Sequence, residues 1–464
     1  MNYDLIIIGA GPGGYVCAIR ASQLGQKVAI VDKEWLGGVC LNVGCVPSKS
    51  LLKNAEVAHT LRHRGDEFGF SYENLQLDYS VAVKRSRQVA QRLTKGIAFL
   101  MKKNDIATYI GAAWLTSNSS VDVTGSDGAV STLTASNIVI ATGARAAAPV
   151  ALRADGERVL TYRDAIMQKR LPASVVIIGG GAMGVEFATI WNSYGSQVTL
   201  VEMLPRILPL EDEHVSTELT RAFTKTGINV LANAKVDRLD TKDESVEVTV
   251  STYEGIQTIA AEQVLVAVGF APNSNNLGLD ALAVERDDQG FIKIDGGMRT
   301  NVDGVFSIGD VTGKLQLAHV ASAQGVVAAE TIAGEPTVEL DYRMMPRATY
   351  CHPEVASFGY TETEALEAGY EVKTARFDFR ANGKALGLGD YVGWAKIVSD
   401  ARCGEILGAH LIGPQVTELL PELTLAHNLE LTGKEIARNV HAHPTLSEAV
   451  MEAAHGLVGN TIHA

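Results

Sequence analysis

The sequence is short of several things, and each shortage removes a class of protein. Cysteine is scarce: Cys17, Cys40, Cys45, Cys351 and Cys403 are all there is in 464 residues. That is too few and too scattered for a secreted disulfide scaffold, so a reducing compartment, the cytoplasm, is expected. Positive charge is outweighed, with 40 Lys and Arg against 53 Asp and Glu and a net charge of −13. A nucleic acid or an anionic membrane would repel such a chain. No apolar run reaches the roughly 20 residues that cross a bilayer. The opening residues lead straight into a buried-type strand, Leu5 to Ile8, so no signal or transit peptide is expected. No low-complexity linker interrupts the chain, which implies closely packed domains. Hydrophobic residues at 46% and charged ones at 20% are ordinary. The length exceeds what one core usually serves, and two to four domains are expected.

What is present begins with a duplication. DLIIIGAGPGGYVCAIRASQLGQKVAIVD, from Asp4 to Asp32, is matched by SVVIIGGGAMGVEFATIWNSYGSQVTLVE, from Ser174 to Glu202. Each copy has an apolar run, a glycine-rich turn, an amphipathic helix and a second apolar run ending in an acid. From Gly9 to Asp32 is 23 positions, as is Gly179 to Glu202. This is a βαβ pattern, which requires a parallel sheet and a crossover helix. Two copies imply two dinucleotide-binding domains in an α/β chain. Between them, residues 50–103 have a helical pattern, followed by strands ending in NIVIATG (Asn137 to Gly143). QVLVAVG, ending at Gly269, and GVFSIGD, ending at Asp310, repeat that strand-then-glycine form. From about Asp341 the texture changes to strands, including Ala395 to Val398 and Ile406 to Leu411, and then helices. That marks a separate C-terminal domain.

GAGPGG places Gly9, Gly11 and Gly14 in a G-x-G-x-x-G turn. Glycine is needed there for the tight turn, for room beside a pyrophosphate and for close helix–sheet packing. The helix N-terminus then offers N–H groups to phosphate, and Asp32 is spaced to meet an adenosine ribose. Glycine-rich turns also serve structure alone, but the preceding strand and the spaced acid favour a nucleotide site. Gly179, Gly181 and Gly184 repeat the turn, with Glu202 as its acid. A carboxylate there repels the 2′-phosphate of NADP and favours NAD, although Arg206 lies close behind. A solvated strand-end charge is the plainer reading of Glu202.

GGVCLNVGCVPSK sets Cys40 and Cys45 five positions apart, soon after the first βαβ unit. A zinc site needs about four ligands and no other Cys or His is near in sequence, so no metal is expected. A structural disulfide, or two unrelated thiols, competes with a catalytic dithiol/disulfide, and the last is favoured. Near the C-terminus HAHPTLSEAVMEAAHG carries His443 and Glu448. A histidine is the natural proton carrier for thiol–disulfide exchange, and a carboxylate orients it. Thr445 to Glu448 is also a capping-box pattern, so the residues leave Glu448 open to either role.

Over essentially its whole length the chain resembles the pyridine nucleotide-disulfide oxidoreductases, and among them the dihydrolipoyl dehydrogenases. The cysteine block and HAHPTLSE carry the likeness most specifically. AHVASAQGVVAAE, GFAPN and YCHPEVASFG are similar to the actinobacterial branch, while Phe270 and Ala271 stand where many relatives have a basic residue. The resemblance implies two Rossmann-like domains and an α+β dimerisation domain. FAD would belong to 1–145 with 271–340, NAD to 146–270, and the homodimer contact to 341–464. It implies that Cys40 exchanges with the lipoyl thiol and Cys45 faces the flavin, with Lys49 beside the ring and paired with Glu186. Asp310 would hold the ribityl chain and Ala318 would offer a backbone N–H. Ala113, Gly143, Val236 and Gly269 are implied as further cofactor contacts. His443 and Glu448 would come from the other subunit, and the partner would be the dihydrolipoyl-bearing domain of an acyltransferase. Glutathione-type and mercuric reductases are the rivals within this chemistry, and a nucleotide-binding sensor without turnover is the rival outside it. Glu202, the cysteine-free tail and His443 argue against these in turn.

Overall fold

The computed structural model describes residues 2–147 and 149–463. Its first sheet is built around strand Asn2–Ile8, where Leu5, Ile6 and Ile7 are fully buried. A strand covered on both faces is apolar throughout rather than alternating. It runs parallel to Val28–Asp32 on one side and to Val130–Ile140 on the other. Ala107–Ile110 extends the first side, and Val305–Ser307 joins Val130–Ile140 in parallel. The hairpin Ala112–Ser117 and Ser120–Thr124 completes the sheet in antiparallel fashion. The crossover helix Pro12–Gln23 starts with Pro12, whose fixed φ suits a first turn. It packs against Ala318–Ala333 so closely that a Cβ on Gly325 would lie 2.5 Å from the Gly13 carbonyl oxygen.

The second sheet is wholly parallel, in the order Asn229–Leu231, Gln197–Val201, Ser174–Ile178, Gln263–Val266, Val159–Leu160. A three-stranded antiparallel sheet, residues 235–261, accompanies it. Where the chain passes between the two units, Ala144–Ala146 pairs with Phe270–Pro272. The C-terminal sheet is antiparallel, ordered Arg347–Thr349, Glu354–Gly359, Ile406–Gly413, Trp394–Asp400, Val372–Asp378. Helices Val416–Asn428, Gly433–Arg438 and Glu448–Val458 pack on it around their own core.

The helical stretch expected over 50–103 is two helices, Cys45–His63 and Tyr79–Lys103. They are separated by a turn-rich segment, and the second starts afresh at Asp78, whose side chain accepts from the Ser80 N–H. Charged contacts fasten the C-terminal unit to the second sheet's unit. Arg347 meets Glu211 at 3.0 Å, and the buried Lys396 meets Asp212 at 3.0 Å. Among the described residues no helix is long and apolar enough to cross a membrane, and no group of His, Cys, Asp or Glu is set to hold a metal ion.

Candidate active site

The two glycine turns are the same object built twice. A Cβ on Gly14 would lie 1.9 Å from the Gly9 carbonyl oxygen, and one on Gly184 equally close to that of Gly179. Both are closures that only glycine permits. At Gly11 and Gly181, by contrast, a Cβ would meet nothing within 4 Å. The side of each turn expected to face phosphate is open.

The strand-end acids are tied back to these turns. Asp32 accepts from the Ala10 N–H at 2.7 Å and from those of Glu34 and Trp35 at 2.8 and 3.0 Å. Glu202 accepts from Gly180 N–H at 2.6 Å and Leu204 N–H at 2.7 Å. Glu202 is therefore buried, not the solvated strand-end charge of the plainer reading. Its two backbone bonds make burial tolerable.

A cavity of about 830 Å³ lies against the first turn. Its wall includes Gly9, Gly11, Asp32, Ala113, Gly143, Asp310 and Ala318, and also Cys40, Cys45, Lys49 and Glu186. Burial pushes the Asp310 carboxyl up to about 6. Its size, the open face at Gly11 and the carboxyl of Asp310 in its wall fit a flavin dinucleotide. Gly14 stands behind the wall, closing the turn. Gly179, Gly181, Gly184, Glu202, Val236 and Gly269 do not line this cavity. Ala182, Met183 and Phe270, next to three of those glycines, do.

The cysteine segment is stitched to the first turn. Gly37 N–H donates to the Ala10 carbonyl at 2.8 Å, and Gly38 passes so near that a Cβ there would lie 2.6 Å from the Gly11 Cα. Cys40 sits in the short helix Gly38–Val43, and Cys45 begins the next one. Both are thiols in this structure and lie within hydrogen-bonding reach of each other. Cys45 is exposed and stands in the cavity wall. The Cys40 thiol donating to it, and then Lys49, outweigh burial and bring Cys45 down to about 7. The same bond, with burial, pushes Cys40 far up. The first proton therefore leaves Cys45, and the pair titrates as a unit. Lys49 Nζ lies 2.8 and 2.9 Å from the two Glu186 oxygens. Burial opposes the Lys49 ammonium, but the Glu186 carboxylate outweighs it and the Lys49 pKa rises.

Sequence reasoning missed Tyr350. Its N–H donates to Glu186 Oε1 at 3.0 Å and its ring lies 4.6 Å from Lys49 Nζ. Nothing in one sequence signals a contact spanning 164 positions.

His443 and Glu448 are not in the cavity wall. His443 Nδ1 lies 2.9 Å from Glu448 Oε1, while Glu448 Oε2 accepts from the Thr445 N–H at 2.8 Å. Glu448 thus contacts both the His443 ring and the Thr445 N–H. The capping box is only half made, because the Thr445 hydroxyl donates to the Ala442 carbonyl instead. Burial works against the Glu448 charge, but the Thr445 N–H and the His443 ring hold its carboxyl below the usual range. A carboxylate only accepts, so His443 donates from Nδ1, and its Nε2 is left outside this contact. The ring is 78% exposed.

Comparison with known proteins decides the family. The model described as "Pyridine nucleotide-disulphide oxidoreductase" matches residues 3–325, and its dimerisation domain matches 345–454. The chain belongs to the pyridine nucleotide-disulphide oxidoreductases. It is 50% identical to the dihydrolipoyl dehydrogenase of Mycobacterium leprae, over 100% of this chain and 99% of that one. It is 48% identical to that of Corynebacterium glutamicum, with the same coverage. Among solved structures, LpdA of Mycobacterium tuberculosis superposes with a TM-score of 0.92 at 26% identity, covering 98% of this chain and 99% of that one. The flavoprotein disulfide reductase RclA of Escherichia coli, at 24% identity, TM-score 0.88 and 99% and 100% coverage, shares the fold. For this family member an α/β architecture with two Rossmann-like units and a dimerisation domain, an oxidoreductase activity, and FAD and NAD as cofactors follow.

Proposed function

We propose that the chain is a dihydrolipoyl dehydrogenase that oxidises protein-bound dihydrolipoyl groups through Cys40 and Cys45. The observation that carries this is the cysteine pair in the wall of the cavity beside the first glycine turn, with Cys45 favoured as thiolate. FAD is assigned to 1–145 with 271–340, held by the first turn, Asp310 and Ala318. NAD is assigned to 146–270, with Glu202 selecting against the 2′-phosphate of NADP. The unit 341–464 is assigned to the homodimer, and the dihydrolipoyl domain of an acyltransferase is the partner in the cytoplasm.

In this account His443 Nε2 takes a proton from one dihydrolipoyl thiol, and Glu448 steadies the resulting imidazolium. The new thiolate attacks the Cys40 sulfur. An S–S bond forms to the substrate as the Cys40–Cys45 bond breaks, leaving Cys45 as the thiolate. The second substrate thiol then attacks the substrate's own sulfur in that mixed disulfide. It releases lipoyl, and its proton goes to Cys40. Lys49 steadies Cys45, and the Cys40 S–H donates to it, as in this structure. The chemistry that FAD supplies when bound is two-electron transfer between the reduced pair and NAD. The exposure of His443 and its absence from the cavity wall support its service to the partner subunit's cysteines, with two equivalent sites across a two-fold axis.

The test is dihydrolipoamide oxidation by Cys40→Ser and Cys45→Ser, both of which are expected to be inactive. Normal turnover in Cys40→Ser would refute the dithiol mechanism.

A further inference from the structure

Arg87 is a half-buried cation with no carboxylate partner among the described residues. One guanidinium nitrogen donates to the Asn42 carbonyl, another lies 3.0 Å from Met167 Sδ, and the buried Nε has no partner among the described residues. Burial lowers its pKa. An unpaired cation in such a place is costly, so what it grips matters. Asn42 lies midway between Cys40 and Cys45. Its carbonyl is one of the last in helix Gly38–Val43, where the helix leaves oxygens unsatisfied and a cation is welcome. The Asn42 side chain holds the other end: Nδ2 donates to the Leu36 and Gly38 carbonyls at 3.0 and 2.9 Å. Thr94 Oγ1, also on Tyr79–Lys103, lies 3.2 Å from Asn42 Oδ1.

We propose that Arg87 is a positioning residue for the redox pair: it clamps the helix carrying Cys40 against Tyr79–Lys103 and so holds the two thiols at bonding range. This rests on the reading of Cys40 and Cys45 as the redox pair. The sign of its effect follows from comparing the two redox states. The disulfide itself fixes the separation of residues 40 and 45, whereas the dithiol depends on its surroundings. Loss of the clamp lowers the effective concentration of one thiol at the other, so the disulfide becomes easier to reduce. Loss of a cation acts in the opposite direction by weakening a thiolate. The charges that act most on Cys45 are those of Lys49 and Glu186, however, so the clamp decides the sign.

The experiment equilibrates the flavin-loaded enzyme with dithiothreitol buffers, in which enzyme disulfide and dithiothreitol exchange for enzyme dithiol and oxidised dithiothreitol. Acid quenching and thiol counting by mass spectrometry give the constant. Arg87→Met is expected to favour the dithiol about tenfold, a midpoint about 30 mV less negative. Arg87→Lys, which keeps a charged donor, is expected to stay within about threefold of the parent. Thr94→Val, which keeps the shape but removes the hydroxyl's contacts to Asn42 Oδ1 and to the Ala90 carbonyl of its own helix, is expected to move the same way by about threefold and serves if Arg87→Met does not fold. An unchanged or more negative midpoint in Arg87→Met, or no shift in Thr94→Val where that variant stands in, overturns the clamp. A parent enzyme whose Cys40 and Cys45 never form a disulfide across the buffer range overturns the redox-pair reading instead.

Discussion

Replacing Cys40 by alanine removes the largest single influence holding Cys45 near neutrality, the hydrogen bond from the Cys40 thiol. With Cys45 at about 7, roughly half of it is thiolate at pH 7. Without that bond Lys49 still helps and burial still opposes, so the pKa is expected to climb back toward the ordinary thiol value of about 8.5. The thiolate fraction at pH 7 would then fall to about 3%, a drop of more than tenfold. Cys40→Ser is the control, because a hydroxyl still donates and most of the depression is expected to remain. The assay is the rate of Cys45 alkylation by iodoacetamide against pH in the reduced enzyme, with the modified peptide counted by mass spectrometry. A thiolate rate rises with pH through the pKa, so the curve for Cys40→Ala is expected to move to higher pH and that for Cys40→Ser to stay near the parent. Coincident curves for Cys40→Ala and the parent would refute the argument that Cys40 sets the acidity of Cys45.

Further outcomes follow from the other parts of the site. His443→Gln is expected to cut dihydrolipoamide turnover by about 100- to 10,000-fold while NADH oxidation by an artificial acceptor survives. Equal losses in the two assays would exclude a proton-carrier role. Co-refolded Cys40→Ser and His443→Gln subunits are expected to regain turnover, since one site of each heterodimer holds both intact groups. No recovery in verified heterodimers would place each site within one chain. Gly14→Ala is expected to lose stability, because its Cβ would strike the Gly9 carbonyl. Gly11→Ala is expected to melt like the parent but release FAD more readily, and calorimetry beside flavin fluorescence separates the two. Glu202→Ala is expected to narrow the preference for NAD over NADP. Because it orphans the Gly180 and Leu204 N–H groups, it is also expected to cost about 1.5–3 kcal/mol in denaturant unfolding.

Much of the fold was legible because the glycine turns leave so little freedom. Gly9 and Gly14 admit no side chain where they stand, and fully apolar runs such as Leu5 to Ile8 and Val175 to Ile178 suit only strands covered on both faces. Residues 64–78 were not legible as a break, because the helical pattern resumes after it with the same polarity and only the Asp78 cap marks the restart. The spacing of the strand-end acids points them at a nucleotide ribose. That each also secures its own glycine turn depends on backbone N–H groups some 22 positions away, which carry no residue-type signal. Tyr350 and Arg87 were silent for the same reason: both act on a main-chain or charged group that the fold delivers from elsewhere. Glu448 was legible as a pair of alternatives, and its two oxygens reach the His443 ring and the Thr445 N–H.

The central claim is that this cysteine pair serves a dihydrolipoyl group and NAD. Its most direct test is the initial rate of purified, flavin-loaded enzyme with dihydrolipoamide and NAD, beside dihydrolipoamide with NADP and glutathione disulfide with NADPH. The account predicts rapid NADH formation in the first, little in the second and none of the third reaction. Turnover of glutathione disulfide with NADPH, with dihydrolipoamide inert, would contradict it.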